Sequence, residues 1–362
     1  MMTRENPATG IGNLIALALA VLLSLLMLPD QALGQGRRRG SGDSVALPEK
    51  RTPVTATEMN LSSIPFQIAF ESYRETDGRS NWEICLINAD GSGLVNLTST
   101  PEVNEFYPHA SPDGRRLCFV ADEGEGRYNR SRNAYIMNID GSGRTRIAEN
   151  ARQPCWSPDG KKIAYLKGEY SRYNANSWAN RGLEIYDLET GEVTRHPDED
   201  IGHVYNLCWS PDGEWFIATS RDRSGGNSAY RVDSRTEMSL SIRGCRPDIS
   251  PDGRLVAWGR TDQDLDIGAI DFGTRRNNVT DQRAVVACER DHKVYHVDWS
   301  PDGNYLAFSY GSARGSQGVG SRAPGWDICI CDLRTGQWTR ITIDSNDNKE
   351  PDWIPAHAPR SR

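Results

Sequence analysis

Six residues of unlike chemistry, His109, Cys155, Cys208, Asp248, Asp298 and Asp352, hold one recurring place in this chain. Each stands just before the residue that anchors a short β-prone run, as in Cys155-Trp156, Cys208-Trp209, Asp298-Trp299 and Asp352-Trp353. Three carboxylates, an imidazole and two thiols are types that bind divalent metals or trade protons. Two positions earlier stand Tyr107, Gln153, Asn206, Arg246, His296 and Glu350, a second tier of polar side chains. If the runs carrying them surround one axis, both tiers line a channel, with His109, Asp248, Asp298 and Asp352 its most reactive members. The plainer role for such side chains is to hydrogen-bond neighbouring strands and channel water. That role is the one expected here, with no metal, no cofactor and no catalytic residue.

Other chemical signatures are missing from the sequence. It has no Gly-x-Ser-x-Gly elbow, phosphate loop, His-Glu-x-x-His or dinucleotide fingerprint. Asp262, Asp264 and Asp266 alternate as in a calcium loop, but glycine is displaced to Gly268 and no closing glutamate follows. Asp344-x-Asn346-x-Asn348 fails likewise, with Lys349 where glycine is needed. A net charge of −7 argues against nonspecific nucleic-acid binding.

The elements that carry the two tiers repeat. Ser-Pro-Asp-Gly occurs at 111–114, 157–160, 210–213, 250–253 and 300–303, at spacings of 46, 53, 40 and 50 residues. Pro presets φ for the second place of a type I turn, Asp suits the third, and Gly eases the exit. An apolar run on each side makes a hairpin, and a second hairpin follows, turning at places such as Asp140-Gly141-Ser142-Gly143. Four antiparallel strands, A to D, recurring at this period describe a propeller blade.

Trp-Ser-Pro-Asp-Gly, then Ile163-Ala164-Tyr165, then a strand and turn such as Met137-Asn138-Ile139-Asp140-Gly141, resembles the TolB-type β-propeller repeat. The resemblance covers roughly residues 64 to 356 and implies an all-β propeller without naming a ligand. Family members with an α/β domain ahead of the propeller differ from this chain, in which low-complexity residues precede the first blade. The first blade starts at its second strand, Phe66–Phe70. Its missing strand A is expected at the other end, because Glu350-Pro351-Asp352-Trp353-Ile354-Pro355 aligns with Gln153-Pro154-Cys155-Trp156-Ser157-Pro158. Six four-stranded blades closed into a ring by the C-terminal strand follow, which leaves no open edge.

Residues 1–34 read as a signal peptide, with an apolar run over 14–28 and a small-x-small pattern at Ala32-Leu33-Gly34. Residues 35–63 read as a flexible linker, 64–356 as the propeller and 357–362 as a disordered tail. An anchor retained uncleaved is the alternative for the first segment. A periplasmic or secreted protein is therefore expected, with no stable membrane insertion after cleavage. Of the eight cysteines, Cys118, Cys155, Cys208, Cys329 and Cys331 fall inside strands as small buried hydrophobes, so disulfides are not expected.

In such blades the A–B and C–D turns share one face and the B–C and D–A loops the other. The second face carries the longer connections, read as 122–132, 168–181, 221–227, 281–293 and 311–325. They bring Arg127, Tyr128, Arg130, Arg172, Tyr173, Trp178 and Arg181 around an acidic mouth with His203 and His292. An arginine and aromatic rim suits an envelope or extracellular protein, a peptide or a glycan. The expected function is a non-catalytic binding scaffold. The alternative is a propeller enzyme, a polysaccharide lyase or hydrolase using channel-mouth His and Asp.

Overall fold

The computed structural model describes residues 59–126, 129–221, 226–314, 322 and 325–356, all strand and turn apart from one short 3-10 turn at Leu61–Ser63. The first blade holds β1 (Gln67–Thr76), β2 (Arg79–Asn88) and β3 (Val95–Asn96). The second is β4 (Asn104–Ala110), β5 (Arg116–Glu123), β6 (Ser131–Asn138) and β7 (Thr145–Ala148). The third is β8 (Ala151–Trp156), β9 (Lys162–Gly168), β10 (Asn180–Asp187) and β11 (Val193–Arg195). The fourth is β12 (Val204–Trp209), β13 (Trp215–Ser220), β14 (Gly226–Arg231) and β15 (Glu237–Ser239). The fifth is β16 (Cys245–Ile249), β17 (Leu255–Gly259), β18 (Asp264–Ile270) and β19 (Val279–Ala287). The sixth is β20 (His292–Trp299), β21 (Tyr305–Ser312), β22 (Asp327–Asp332) and β23 (Trp338–Arg340), and β24 (Asp347–Ile354) follows. β24 pairs with β1, with Ile68 opposite Trp353, and so completes the first blade in the order β24-β1-β2-β3. Six four-stranded antiparallel sheets result, and the fold is a six-bladed β-propeller.

Each Ser-Pro-Asp-Gly turn is a small hydrogen-bonded cage. In the third blade Ser157 Oγ donates to Asp159 Oδ1 at 2.6 Å and accepts the Lys162 amide at 2.9 Å. Asp159 Oδ1 also accepts the Lys161 amide at 3.1 Å, and Gly160 closes the turn on the Ser157 carbonyl at 2.9 Å with φ of 69°. That positive φ explains why the fourth residue is glycine in all five copies. The apolar residues flanking each turn form the seams between blades. Ile68, Phe70 and Trp353 of the first blade pack on Tyr305, Ile328 and Ile330 of the sixth. Met59 and Leu61 join the same seam, so packed chain reaches back before residue 64. All eight cysteines are free thiols, and Cys85, Cys118, Cys155, Cys329 and Cys331 are buried.

All five expected connections shorten: 168–181 gives Gly168 to β9 and Asn180 and Arg181 to β10, and 221–227 gives Gly226 and Asn227 to β14. Residues 281–287 belong to β19 rather than to a loop, so only residues 288–291 join it to β20. Asp122 and Arg132, expected in a loop, face each other as strand partners on β5 and β6. Gly311 and Ser312 end β21. Residues 1–58 and 357–362, which include the expected signal peptide, most of the linker and the tail, lie outside the described residues, as do Arg127 and Tyr128. Among the described residues no helix is long and apolar enough to cross a membrane.

Candidate functional site

The first strand of every blade carries the same irregularity. Its register with the next strand slips between Phe106 and His109, Arg152 and Cys155, Tyr205 and Cys208, Cys245 and Asp248, and Tyr295 and Asp298. The slip at β24 falls opposite Ala69 and Glu71. At each bulge the second-tier residue is left-handed: Tyr107, Gln153, Asn206, Arg246, His296 and Glu350 have φ between 44° and 59°. Six non-glycine residues held there mark a built feature, because each costs strain that surrounding contacts must offset. Most of both tiers meet at one cavity of about 80 Å³, lined by Tyr107, Gln153, Asn206, His109, Cys208, Asp248, Asp298, Glu350 and Asp352; Cys155, Arg246 and His296 are not in its lining.

The ring tier stitches blades together. Asp352 Oδ1 accepts the Ala110 amide of the second blade at 2.7 Å, and Asp298 Oδ2 accepts the Trp353 amide of the first at 2.7 Å. Asp248 Oδ2 accepts the Trp299 amide at 3.1 Å, while its Oδ1 accepts the Cys208 thiol at 2.9 Å. His109 Nδ1 lies 3.5 Å from the Trp156 amide. Burial pushes Asp352 up to about 6 against the pull of His109. Burial, then the neighbouring Asp352 and Asp248 carboxyls, push Asp298 well above the carboxylate range. Among the described residues no three His, Cys, Asp or Glu side chains are arranged to hold a metal ion.

The second tier is a buried charge network that sequence reasoning did not pair. Arg246 Nη1 donates to Glu350 Oε1 at 3.1 Å and to Asn206 Oδ1 at 3.2 Å, and His296 Nε2 lies 2.9 Å from Glu350 Oε1. Burial alone would raise Glu350, but Arg246 and His296 hold it down to about 2. Burial, reinforced by Arg246, pushes His296 down to about 4 and keeps it neutral. Further out, Lys349 Nζ sits 3.7 Å from Glu71 Oε1, and Arg132 forms a two-pronged pair with Asp122 at 2.6 and 2.7 Å. The signal available for these was charge inside strands, at positions the alternation reserves for buried side chains.

The B–C and D–A loops meet on the opposite rim from the Ser-Pro-Asp-Gly turns. Glu169 Oε2 lies 3.0 Å from His203 Nε2, and Asn150 Nδ2 donates to the Tyr170 carbonyl at 2.8 Å. Trp178 packs edge-on to His203 at 6.0 Å and under the Arg221 guanidinium at 5.1 Å. Arg172 and Arg181 are exposed. Arg181, Glu169, Glu184, Arg195 and His196 line a groove of about 260 Å³. Tyr173 turns inward instead, donating to Asp122 at 2.6 Å with Arg130 at 5.6 Å from its ring. His292 stacks on Tyr310 at 4.9 Å, beside Asp291, in another blade. The rim residues are therefore spread over several blades; Trp178 and His203 touch, and Arg181 bridges main chain with Gly202, next to His203. The calcium candidates are occupied by cations: Asp264 and Asp266 pair with Arg260 at 2.8 Å each, and Asp262 with Lys293 at 2.7 Å.

Comparison with known proteins agrees with this architecture. Residues 195–224 and 284–314 match the WD domain, G-beta repeat family (WD40). The cell division cycle protein cdt2 of Schizosaccharomyces pombe is 32% identical over 167 residues, 40% of this chain and 33% of that protein. The uncharacterized peptidase YuxL of Bacillus subtilis is 26% identical over 62% of this chain and 31% of its own length. Dipeptidyl-peptidase 5 of Porphyromonas gingivalis is 23% identical over 62% of this chain and 40% of its own length. The chain thus spans well under half of each of these relatives. Among solved structures, TolB from Acinetobacter baumannii superposes with a TM-score of 0.61 at 17% identity, over 80% of this chain and 67% of that one. At that identity the likeness speaks for the fold alone: the chain is a six-bladed propeller built like that of TolB.

Proposed function

We propose that this chain is an exported, non-catalytic propeller scaffold that recognises an envelope or extracellular protein, peptide or glycan on its long-loop face. The observation that carries the reading is the Trp178–His203 contact, joined through Glu169 to the groove that Arg181 lines. There a half-buried aromatic is held between a cation and an imidazole, and the nearby groove adds an exposed arginine, a mix that concentrates binding energy. The ring tier supports a scaffold role, since its carboxylates are engaged by amides of adjoining blades. Capture of partners from an envelope extract tests the reading. Trp178→Ala or Arg181→Ala should leave melting nearly unchanged yet weaken capture by about 1–3 kcal/mol. Ser142→Ala, in a turn on the opposite rim, should not weaken it. Normal capture by the Trp178 variant combined with loss in the Ser142 variant would place function on the other face. Export rests on the apolar run over residues 14–28 and the cleavage pattern at Ala32-Leu33-Gly34. An intact mass beginning near Gln35 in protein from the native host supports it, and retention of residues 1–34 in membranes refutes it.

A catalytic reading has one observation in its favour, the His203–Glu169 pair at 3.0 Å beside the groove. Turnover of oligogalacturonate or of peptide amides that vanishes in His203→Ala would replace the scaffold reading.

A further inference from the structure

Two buried guanidiniums on the long-loop side have one carboxylate near them, Asp122, and it is paired with only one of the two. Arg132, on β6, uses Nε and Nη2 on Asp122 at 2.6 and 2.7 Å and its Nη1 on the Ala175 carbonyl at 3.3 Å. Arg152, on β8, is 1% exposed and has no carboxylate of its own. Its Nη1 donates to the Ala151 carbonyl at 3.2 Å and its Nη2 to the Asn174 carbonyl at 3.0 Å, while Nε has no partner. Burial, then the adjacent Arg132 charge, lower its guanidinium to about 10. A buried cation is costly without an anion, and a neutral carbonyl returns less than a carboxylate does.

One capping carbonyl of each arginine comes from the same stretch of main chain, Asn174 and Ala175, consecutive residues of the third blade's B–C loop. Tyr173 latches that stretch by donating to Asp122 at 2.6 Å, with its ring 5.8 Å from the Arg132 guanidinium. The loop thus lies where a peptide would lie, offering carbonyl oxygens to donors whose fork geometry fits a carboxylate better. We propose that Arg152 and Arg132 form a carboxylate-binding site for an acidic peptide segment, and that the loop of residues 169–179 is its displaceable cover. The proposal rests on the long-loop face being the binding face. It favours a peptide because the oxygens to be replaced belong to a peptide chain. Arg172, exposed on the same loop, adds positive charge at the entrance.

The test uses the full chain and a fluorescein-labelled hexaglutamate peptide, read by anisotropy, with oligogalacturonate and sodium sulfate as competitors. Hexaglutamate should bind saturably, and Arg152→Gln and Arg152→Lys should each weaken it by about tenfold or more. The Lys variant keeps the charge, so its melting checks that the fold survives. Tyr173→Phe, which removes the latch, should speed association by about threefold or more, a change that an Arg152 of purely structural role would not produce. No saturable binding, or binding indifferent to Arg152, overturns the proposal. Arg152-dependent binding of oligogalacturonate without hexaglutamate binding overturns the peptide assignment in favour of a uronate ligand. Capture of a native partner that depends on Trp178 but not on Arg152 would leave the binding face standing and refute this site alone.

Discussion

Glu350→Gln isolates what the second-tier charge network contributes. Glutamine keeps the shape and an oxygen within reach of Arg246 and His296, so the substitution removes charge and little else. The Glu350 carboxyl is held at about 2 against an ordinary 4.5, which corresponds to about 3 kcal/mol of stabilisation. An independent figure agrees, since leaving one partner of a buried ion pair uncompensated costs about 3–5 kcal/mol. Because the folded-state value lies below the unfolded one, this stabilisation is complete above pH 4.5 and is lost as pH falls toward 2. Urea unfolding followed by tryptophan fluorescence should therefore separate wild type from variant by about 3 kcal/mol at pH 7. The gap should shrink to about half by pH 3. A gap below about 1 kcal/mol at pH 7, or one that stays constant from pH 7 to pH 3, would refute the assignment of Glu350 as the network's anion.

Trp353→Ala should cost about 3–5 kcal/mol, because the ring is 4% exposed and sits in the seam that closes the propeller. Deleting residues 349–362 should lower the melting temperature further by opening the first blade, and native-like melting of either variant would disprove closure. Asp298→Asn should change stability by less than about 1 kcal/mol below pH 3.8, where the carboxyl is protonated folded and unfolded alike and resembles an amide. Asp298 is raised in the folded state, so wild type alone loses stability as pH rises above 3.8, and the variant should gain on it there. Ser210→Ala, which removes the bonds to Asp212 at 2.5 Å and from the Trp215 amide at 2.9 Å, should lower the unfolding free energy by about 1 kcal/mol, read as a lower urea midpoint. An unchanged midpoint would mean the turn cage is dispensable.

The blade count and the ring closure were legible in the residues themselves. Ser-Pro-Asp-Gly acts through bonds spanning five residues, so its chemistry reads locally. The match of residues 350–355 to 153–158 announced a displaced strand. The positions of the two axial tiers were legible for the same reason, being counted from the same turns. Their roles were not. Asp298 accepts the amide of Trp353, 55 residues away, and Arg246 pairs with Glu350, 104 residues away, only because ring closure brings those strands together. Residues as unlike as Gln153 and Glu350 share a left-handed bulge that no composition signals, since six packed blades impose it. The inward turn of Tyr173 onto Asp122 belongs to the same class. The sequence shows an aromatic on a long loop. The tertiary structure decides whether it faces solvent or covers a buried charge, because the partner that would draw it in belongs to another blade.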